Sequence, residues 1–139
     1  MRLRLCYLGR AKDRALNEAA AEYARRIERF CPFTQQEVRT PEAAREKFPR
    51  AFLVALDPAG REMDSPALAH WLEKQLAGGA RDLVFLVGGA DGLTPAARQS
   101  ADLLLSLSRL TLPHELARVV LLEQLYRALA TLRGHPYAR

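Results

Sequence analysis

The sequence is poor in the residues that build disulfide frameworks and metal clusters. Only two cysteines, Cys6 and Cys31, and three histidines occur in 139 residues, too few and too scattered for either kind of site. No apolar run approaches membrane-spanning length, and Met1 is followed by Arg2 and Arg4 instead of an apolar signal segment. We therefore expect a cytoplasmic protein with reduced thiols, no membrane partner and no metal.

Three common enzyme motifs are also missing. Residues 88–92 read Gly-Gly-Ala-Asp-Gly, which is neither the G-x-G-x-x-G of dinucleotide-binding folds nor a phosphate loop, because no Gly-Lys-Ser/Thr follows. The sequence contains no G-x-S-x-G nucleophile elbow. Dinucleotide binding, phosphate-loop chemistry and acyl transfer are thus disfavoured. By itself the 88–92 segment is typical of a tight turn between a strand and a helix.

Charge is distributed unevenly along the chain. Counting Lys and Arg against Asp and Glu, residues 1–50 carry +5, residues 51–106 carry −3 and residues 107–139 carry +3. Two basic ends suit an anionic partner, and nucleic acid better than a membrane. The alternative is that the basic side chains only solvate helix faces.

Apolar runs alternate with helical periodicity from one end of the chain to the other. This order predicts a single α/β domain spanning residues 1–139, with a mainly parallel sheet flanked by helices. The predicted strands are 3–7, 33–38, 51–56, 83–87 and 103–107, and the predicted helices are 13–30, 41–48, 65–77, 94–101 and 113–133.

Capping residues and prolines indicate where these helices begin. Asp13 is a typical N-cap, residues 40–42 (Thr-Pro-Glu) resemble a cap followed by proline at the first helical position, and Pro113 is expected at that position too. The pairs 65–66 (Ser-Pro) and 94–95 (Thr-Pro) use the same device. We expect five capped helices.

The last predicted helix carries a carboxylate, Glu123, within its apolar stripe. An apolar stripe at helical spacing predicts its buried face as Leu116, Val119, Val120, Glu123, Tyr126 and Ala130. A carboxylate within such a stripe needs a partner. For Glu123 we expect an arginine, supplied across an interface, or a purely stabilising role.

The ends of the predicted strands are the best candidates for a functional site. Residues 57–60 (Asp-Pro-Ala-Gly) predict a turn directly after one strand, 88–92 follow the next, and 108–114 follow the last. Parallel strands present their carboxyl ends at one edge of the sheet, where open α/β folds bind ligands. We expect the site there.

Two groups of residues could carry chemistry. His114 stands at a helix start, where the helix dipole disfavours imidazolium, so it is either a neutral proton acceptor or a capping residue. Residues 135–139 (His-Pro-Tyr-Ala-Arg), the C-terminal tail, place imidazole, phenol and guanidinium close together. A frayed terminus is the alternative reading of that tail.

Four segments, taken in order, resemble one known family. Residues 86–95, 107–114, 123–128 and 135–137 are similar to the RlmH family, bacterial SPOUT-class methyltransferases that act on the RNA of the large ribosomal subunit. The resemblance implies an α/β fold with a C-terminal trefoil knot, here about residues 83–139, a rare exception to unknotted topology. It also implies a homodimer that transfers methyl from S-adenosylmethionine to N3 of a pseudouridine in 23S rRNA, preferring the assembled 70S ribosome.

The resemblance also implies site residues. His114, His135, Tyr137 and Arg139 fall at catalytic and RNA-contacting positions. The general base stays open among His114, His135 and Tyr137, and Arg139 would stabilise negative charge on the base being methylated. The cofactor-binding positions are Leu56, Gly88, Gly89, Leu107, Ser108, Arg109, Leu110, Thr111 and Leu112.

The chain departs from the family pattern in two places. The segment 40–51 is shorter than usual, and Ala138 replaces the second histidine of a His-Pro-Tyr-His tail, which excludes that imidazole from catalysis here. Two other readings remain: a catalytically inactive, basic RNA-binding dimer on the same fold, and a nucleotide-sensing domain that uses the 88–92 segment. The retained tail and 107–112 segment favour the enzyme, since a pure binder needs neither.

Overall fold

The computed structural model describes residues 2–79 and 81–137. In this part of the chain strands and helices alternate strictly, which confirms the predicted order. The elements are β1 (Leu3–Leu8), α1 (Arg14–Glu28), β2 (Phe33–Val38), α2 (Ala43–Lys47), β3 (Phe52–Glu62), α3 (Ser65–Ala77), β4 (Leu83–Val87), α4 (Pro95–Ser100), β5 (Leu103–Ser106) and α5 (His114–Leu132).

The strands form one sheet in the order β2-β1-β4-β3-β5, and all neighbours are parallel. Every residue of the central strand β4 is buried, as expected for a strand covered on both faces. Helices α1, α3 and α5 pack on one face, and Ala44 of α2 packs with the other. Within the described ranges, no helix is long and apolar enough to cross a bilayer.

The helix starts follow local capping chemistry with some corrections. Asp13 and Thr94 cap α1 and α4 through their side chains, as predicted, but the cap of α3 is Asp64 and not Ser65. The predicted cap at 40–42 was wrong. Helix α2 starts after Glu42, whose carboxylate accepts a hydrogen bond from the Thr94 hydroxyl (2.6 Å) instead of capping its own helix.

Helix α5 begins one residue later than predicted. Pro113 occupies the N-cap, with an extended ψ of 143°, and His114 is the first helical residue. The proline therefore precedes the helix instead of forming its first turn. This shift leaves His114 at the very start of α5.

The turn predicted at 57–60 lies inside a strand that continues beyond it. Leu56 and Arg61 both pair with Leu105, so the intervening residues bulge out of β3. The Ala59 amide donates to Asp57 Oδ1 (2.8 Å), which closes the bulge. A Cβ on Gly60 would lie 2.6 Å from the Leu104 carbonyl carbon and oxygen. The strand resumes because Gly60 has no side chain to separate it from β5.

We expect Gly60→Ala to destabilise the fold by about 1–3 kcal/mol, the usual cost of overpacking. The added methyl would collide with backbone of β5, which cannot rotate away. Urea unfolding monitored by circular dichroism measures the effect. Gly79→Ala is the control, because its added Cβ would meet nothing closer than 3.9 Å, and we expect a change within about 0.5 kcal/mol. Equal midpoints for the two variants would contradict this account of the bulge.

The buried face of α5 differs from the predicted stripe. Tyr126 and Ala130 are buried as predicted, but Leu116, Val119 and Val120 are half-exposed. Because α5 is apolar around much of its circumference, periodicity alone could not select a face. The positions of α1, α3 and the sheet select it. The buried face consists of Arg118, Leu121, Leu122, Leu125, Tyr126, Ala128, Leu129 and Ala130.

Arg118 is a buried cation that joins α5 to three other elements. Its guanidinium donates twice to Gln35 Oε1 (3.0 and 2.7 Å) and once to Asn17 Oδ1 (3.3 Å), and it stacks 3.8 Å above the Tyr7 ring. Burial lowers the pKa of Arg118, yet a guanidinium stays charged at neutral pH. Amide oxygens and an aromatic face thus solvate this charge in place of water.

Candidate active site and cofactor cavity

The bulge of β3, the carboxyl ends of β4 and β5 and the start of α5 meet around one cavity of about 730 Å³. This volume lies within the usual range for small-molecule sites. The prediction that loops from separate strands converge at this edge is confirmed. The lining comprises residues 56–59, 87–93, 107–108, 110–114, Arg98 and Ala117.

The 88–92 segment forms a tight turn at the cavity wall. The Gly92 amide donates to the Gly89 carbonyl (3.0 Å), and Gly92 has a φ of +75°, which favours glycine. A Cβ on Gly88 would lie 3.2 Å from Leu93 Cδ2 and 3.3 Å from the Gly92 carbonyl carbon. The turn folds back onto the end of β4 because Gly88 leaves room for it.

The 107–112 loop forms another part of the cavity wall. Ser108 shapes it: its carbonyl accepts a hydrogen bond from the Ser106 hydroxyl (3.1 Å), and its own hydroxyl accepts one from the Leu110 amide (2.9 Å). Leu110 is 76% exposed, which makes it an apolar surface available to a ligand. All the predicted cofactor-binding residues line the cavity except Arg109, whose side chain is exposed to solvent.

His114 lies at the cavity edge, against the loop that follows β1. A Cβ on Gly9 would be 3.7 Å from His114 Nε2, and Gly9 has a φ of +83°. The backbone amides of Lys12 and Asp13 donate to Glu115 Oε1 (2.7 and 3.0 Å), so the loop is tied to the start of α5. The described structure therefore places a histidine in the same cavity lining as the 88–92 turn and the 107–112 loop.

The described part of the C-terminal tail packs elsewhere. Tyr137 donates to Glu123 Oε2 (2.9 Å), and its ring lies 4.6 Å from that of Tyr126. His135 packs edge-on against Phe30, at 6.1 Å between ring centroids. Through residue 137 the tail is packed and not frayed, and Arg139 lies outside the described residues. Within one chain, neither His135 nor Tyr137 lines the cavity that His114 borders.

The Tyr137 phenol sits in a network that holds its proton. Burial, reinforced by hydrogen bonds to Tyr23 and Glu123, raises the pKa of Tyr137 well above its ordinary value. Glu123 also accepts two hydrogen bonds from Arg127 (3.1 and 2.8 Å). The arginine partner expected for Glu123 is thus supplied by the same helix instead of across an interface.

Two residues of the cavity lining that pair with each other, Asp57 and Arg98, were not among the predicted site residues. Asp57 is only 7% exposed, and its Oδ2 lies 2.9 Å from Arg98 Nη1. The signal for Asp57 was present, since a carboxylate directly after a buried strand faces the same sheet edge as Gly88. Arg98 lies within a short helix, where sequence gave no reason to single it out.

A parallel sheet with a cavity between a glycine turn and a leucine-rich loop suits a methyltransferase of the SPOUT class, and the family model described as "Predicted SPOUT methyltransferase" matches residues 1–138. Two relatives with the printed name "Ribosomal RNA large subunit methyltransferase H" agree over almost their whole length. One, from Solibacter usitatus, is 49% identical over 100% of both chains; the other, from Gloeobacter violaceus, is 40% identical over 99% of this chain and 98% of its own. The chain belongs to the RlmH family of SPOUT methyltransferases.

Solved structures show the same fold at low sequence identity. The SpoU methyltransferase AviRb from Streptomyces viridochromogenes, in complex with AdoMet, has a TM-score of 0.56 and 14% identity, covering 99% of this chain and 59% of its own. A probable methylase family protein from Haemophilus influenzae has a TM-score of 0.61 and 12% identity, covering 99% and 70%. These structures confirm the fold class. Membership of the SPOUT methyltransferase family makes the protein a methyltransferase whose cofactor is S-adenosylmethionine.

The residues present suit that cofactor. The cavity is large enough for a nucleoside with an amino-acid side arm, Gly88 adds no Cβ to its wall, and the 107–112 loop supplies leucine side chains and backbone polar groups. Such a combination can hold an adenine between apolar faces while backbone groups read its edge. The charged pair Asp57–Arg98 adds a polar region to an otherwise mostly apolar lining.

Proposed function

We propose that this enzyme methylates RNA of the large ribosomal subunit in the cytoplasm, at N3 of a pseudouridine in 23S rRNA of the assembled 70S ribosome. The observation that carries the proposal is the cofactor cavity with His114 at its edge, in a chain that matches relatives named as ribosomal RNA large subunit methyltransferases. The net charge of +5 supports an RNA partner.

The cavity residues would act mainly by orientation. Bound S-adenosylmethionine supplies a methyl group already activated by its sulfonium. The 88–92 turn and the 107–112 loop would hold the adenosine part so that the methyl faces the incoming base. Correct orientation of two reactants can contribute up to roughly 7–11 kcal/mol. The trefoil knot predicted for about residues 83–139 stays a prediction.

A base must also remove the proton from the uracil N3, a step worth on the order of 10²–10⁴ in rate. His114 is the candidate that borders the cavity. A phenol is already protonated at neutral pH, and the raised pKa of Tyr137 makes loss of its proton harder still. This supports a role in positioning or hydrogen-bond donation for Tyr137 and leaves His114 and His135 as candidate bases. Arg139 remains proposed as the group that stabilises negative charge.

We propose a homodimer in which the tail of one copy approaches the cavity of the other. Two observations support it. His135 and Tyr137 lie away from the cavity of their own chain. Leu116 and Val120, one turn apart on α5, are half-exposed and do not pack with the main core. A second copy would cover that surface and bring the tail to the site.

Val120→Glu is expected to weaken the dimer by about 100-fold or more. In a two-fold interface both copies carry the new carboxylate, and an unpaired buried charge costs about 3 kcal/mol or more. Sedimentation velocity across a concentration series measures the change, and methylation should fall in parallel. Ala77→Glu, on the exposed end of α3, is the matched control. A Val120→Glu protein that remains dimeric at the wild-type concentration would exclude this surface.

A labelled-methyl assay tests the activity itself. We expect incorporation into 23S rRNA of 70S particles, with much less into free 50S or 30S subunits, and nuclease mapping should locate the label on a pseudouridine. Label in another nucleotide would support the methyltransferase activity but show that the target nucleotide is a different one. Binding of 70S particles with no transfer at saturating S-adenosylmethionine would favour the inactive RNA-binding dimer.

A further inference from the structure

We infer that Arg98, held in place by Asp57, binds the carboxylate of the amino-acid end of S-adenosylmethionine. The inference concerns the cofactor and does not rest on the proposed RNA target. It assigns a ligand contact to a residue outside the glycine turn and the leucine-rich loop. Arg98 would be a binding residue, and Asp57 a positioning residue that acts through it.

The cavity has to accommodate a ligand whose two ends differ in chemistry. The adenosine end is aromatic and suits the apolar loops, whereas the methionine end carries an ammonium and a carboxylate. The ionisable side chains that line the cavity are Asp57, Asp91, Arg98 and His114. Arg98 is the one arginine or lysine in that lining, as far as the described residues show. It is therefore the candidate cation for the carboxylate.

Asp57 holds Arg98 in a defined position. Asp57 Oδ1 accepts the Ala59 amide (2.8 Å) and Oδ2 lies 2.9 Å from Arg98 Nη1. The carboxylate is buried, at 7% exposure, and the bulge 57–60 fixes it to the sheet. A long side chain normally loses considerable rotamer entropy on binding a ligand. Here the ion pair with Asp57 already restricts the Arg98 side chain, so less rotamer entropy is lost when a ligand binds.

The rest of the guanidinium remains available. The Arg98 side chain is 44% exposed. Within residues 2–79 and 81–137, Asp57 supplies the one carboxylate within ion-pair distance of the Arg98 guanidinium. A guanidinium presents five N–H donors, so an ion pair with one oxygen leaves others for a second acceptor. Arginine is well suited to a planar carboxylate because it can donate two parallel hydrogen bonds. The pair therefore offers an anion-binding group at the cofactor cavity.

Titration calorimetry with three ligands tests the inference on the isolated protein. S-adenosylmethionine carries the carboxylate, decarboxylated S-adenosylmethionine retains only the ammonium, and methylthioadenosine lacks both. Arg98→Met should lower the affinity for S-adenosylmethionine by about 10- to 100-fold, which is the usual cost of losing a charge-assisted hydrogen bond. It should change the affinity for the other two ligands by less than about threefold. Arg98→Lys should recover part of the loss, and Asp57→Asn should show a smaller loss with the same ligand selectivity.

Arg14→Met is the matched control, because Arg14 of α1 is an exposed arginine that also pairs with a carboxylate, Glu18 (3.2 Å), but does not line the cavity. It should leave all three affinities unchanged. Equal weakening of the three ligands by Arg98→Met would show that Arg98 only supports the bulge 57–60, and would overturn the inference. Unchanged affinity for S-adenosylmethionine would overturn it as well. Neither outcome depends on which RNA is methylated, so this inference and the proposed function can fail independently.

Discussion

Replacing Gly88 by valine is expected to weaken S-adenosylmethionine binding by about 100-fold while the domain remains folded. The first added atom would already lie 3.2 Å from Leu93 Cδ2 and 3.3 Å from the Gly92 carbonyl carbon. A branched side chain would push the 88–92 turn away from β4, and the turn lines the cavity. Overpacking of this kind costs about 1–3 kcal/mol, and 3 kcal/mol corresponds to roughly 100-fold in affinity. Titration calorimetry measures the loss.

Gly88→Ala provides a graded comparison. Its single methyl meets the movable end of Leu93 at 3.2 Å and the Gly92 backbone at 3.3 Å. Shifts of a few tenths of an ångström relieve most of both contacts, so the expected loss is below about tenfold. Thermal unfolding of both variants separates a damaged cavity from a damaged fold. Wild-type affinity in the valine variant would mean that the cofactor does not use this turn.

Deletion of residues 136–139 is expected to reduce methylation by at least about 100-fold, because it removes Tyr137 and Arg139 and the loss of one group that stabilises developing charge costs about 10²–10³ in rate. Affinity for S-adenosylmethionine should stay within about twofold, because the 88–92 turn and the 107–112 loop that would hold the adenosine part remain in place. The labelled-methyl assay on ribosomes measures the rate, and calorimetry measures cofactor affinity on the same preparation. A truncated protein with full activity would remove the tail from the mechanism.

Tyr23→Phe is a suitable control for the deletion. The Tyr23 hydroxyl lies 3.5 Å from that of Tyr137, so the substitution perturbs the same phenol pair and leaves the tail in place. We expect its activity within a few-fold of wild type. A loss as large as that of the deletion would show that the hydroxyl contact between α1 and Tyr137, and not the chemical groups of the tail themselves, carries the effect.

The site could be located from the sequence because parallel strands deliver the residues that follow them to a common edge. Gly88 and Leu110 are far apart in the chain, yet each follows a buried apolar run, and both line one cavity. Arg98 could not be located in this way. It lies in a helix, and its place in the cavity depends on how that helix packs beside the bulge of β3 that carries Asp57, which no local pattern encodes.

Helix α5 shows the same limit in the core. Its apolar residues predicted a helix correctly, but Leu116 and Val120 of the predicted stripe are half-exposed, and the buried face shares only Tyr126 and Ala130 with that stripe. The same limit applies to Glu123. The sequence indicated that its carboxylate needs a partner, but only the packed structure identified Arg127 and Tyr137 as the partners. Local periodicity sets what an element is, whereas neighbouring elements decide which side is covered.

The sequence alone determined the alternation of strands and helices, the edge of the sheet at which the loops gather, and the resemblance that led to the family. These follow from short-range patterns of apolar spacing, capping and turn residues, which need no knowledge of distant contacts. The tertiary structure decided the bulge at 57–60, the buried face of α5, the Asp57–Arg98 pair and the separation of the tail from its own cavity. Each of these depends on which surfaces meet across the sheet, a property of three-dimensional packing among residues remote in the chain.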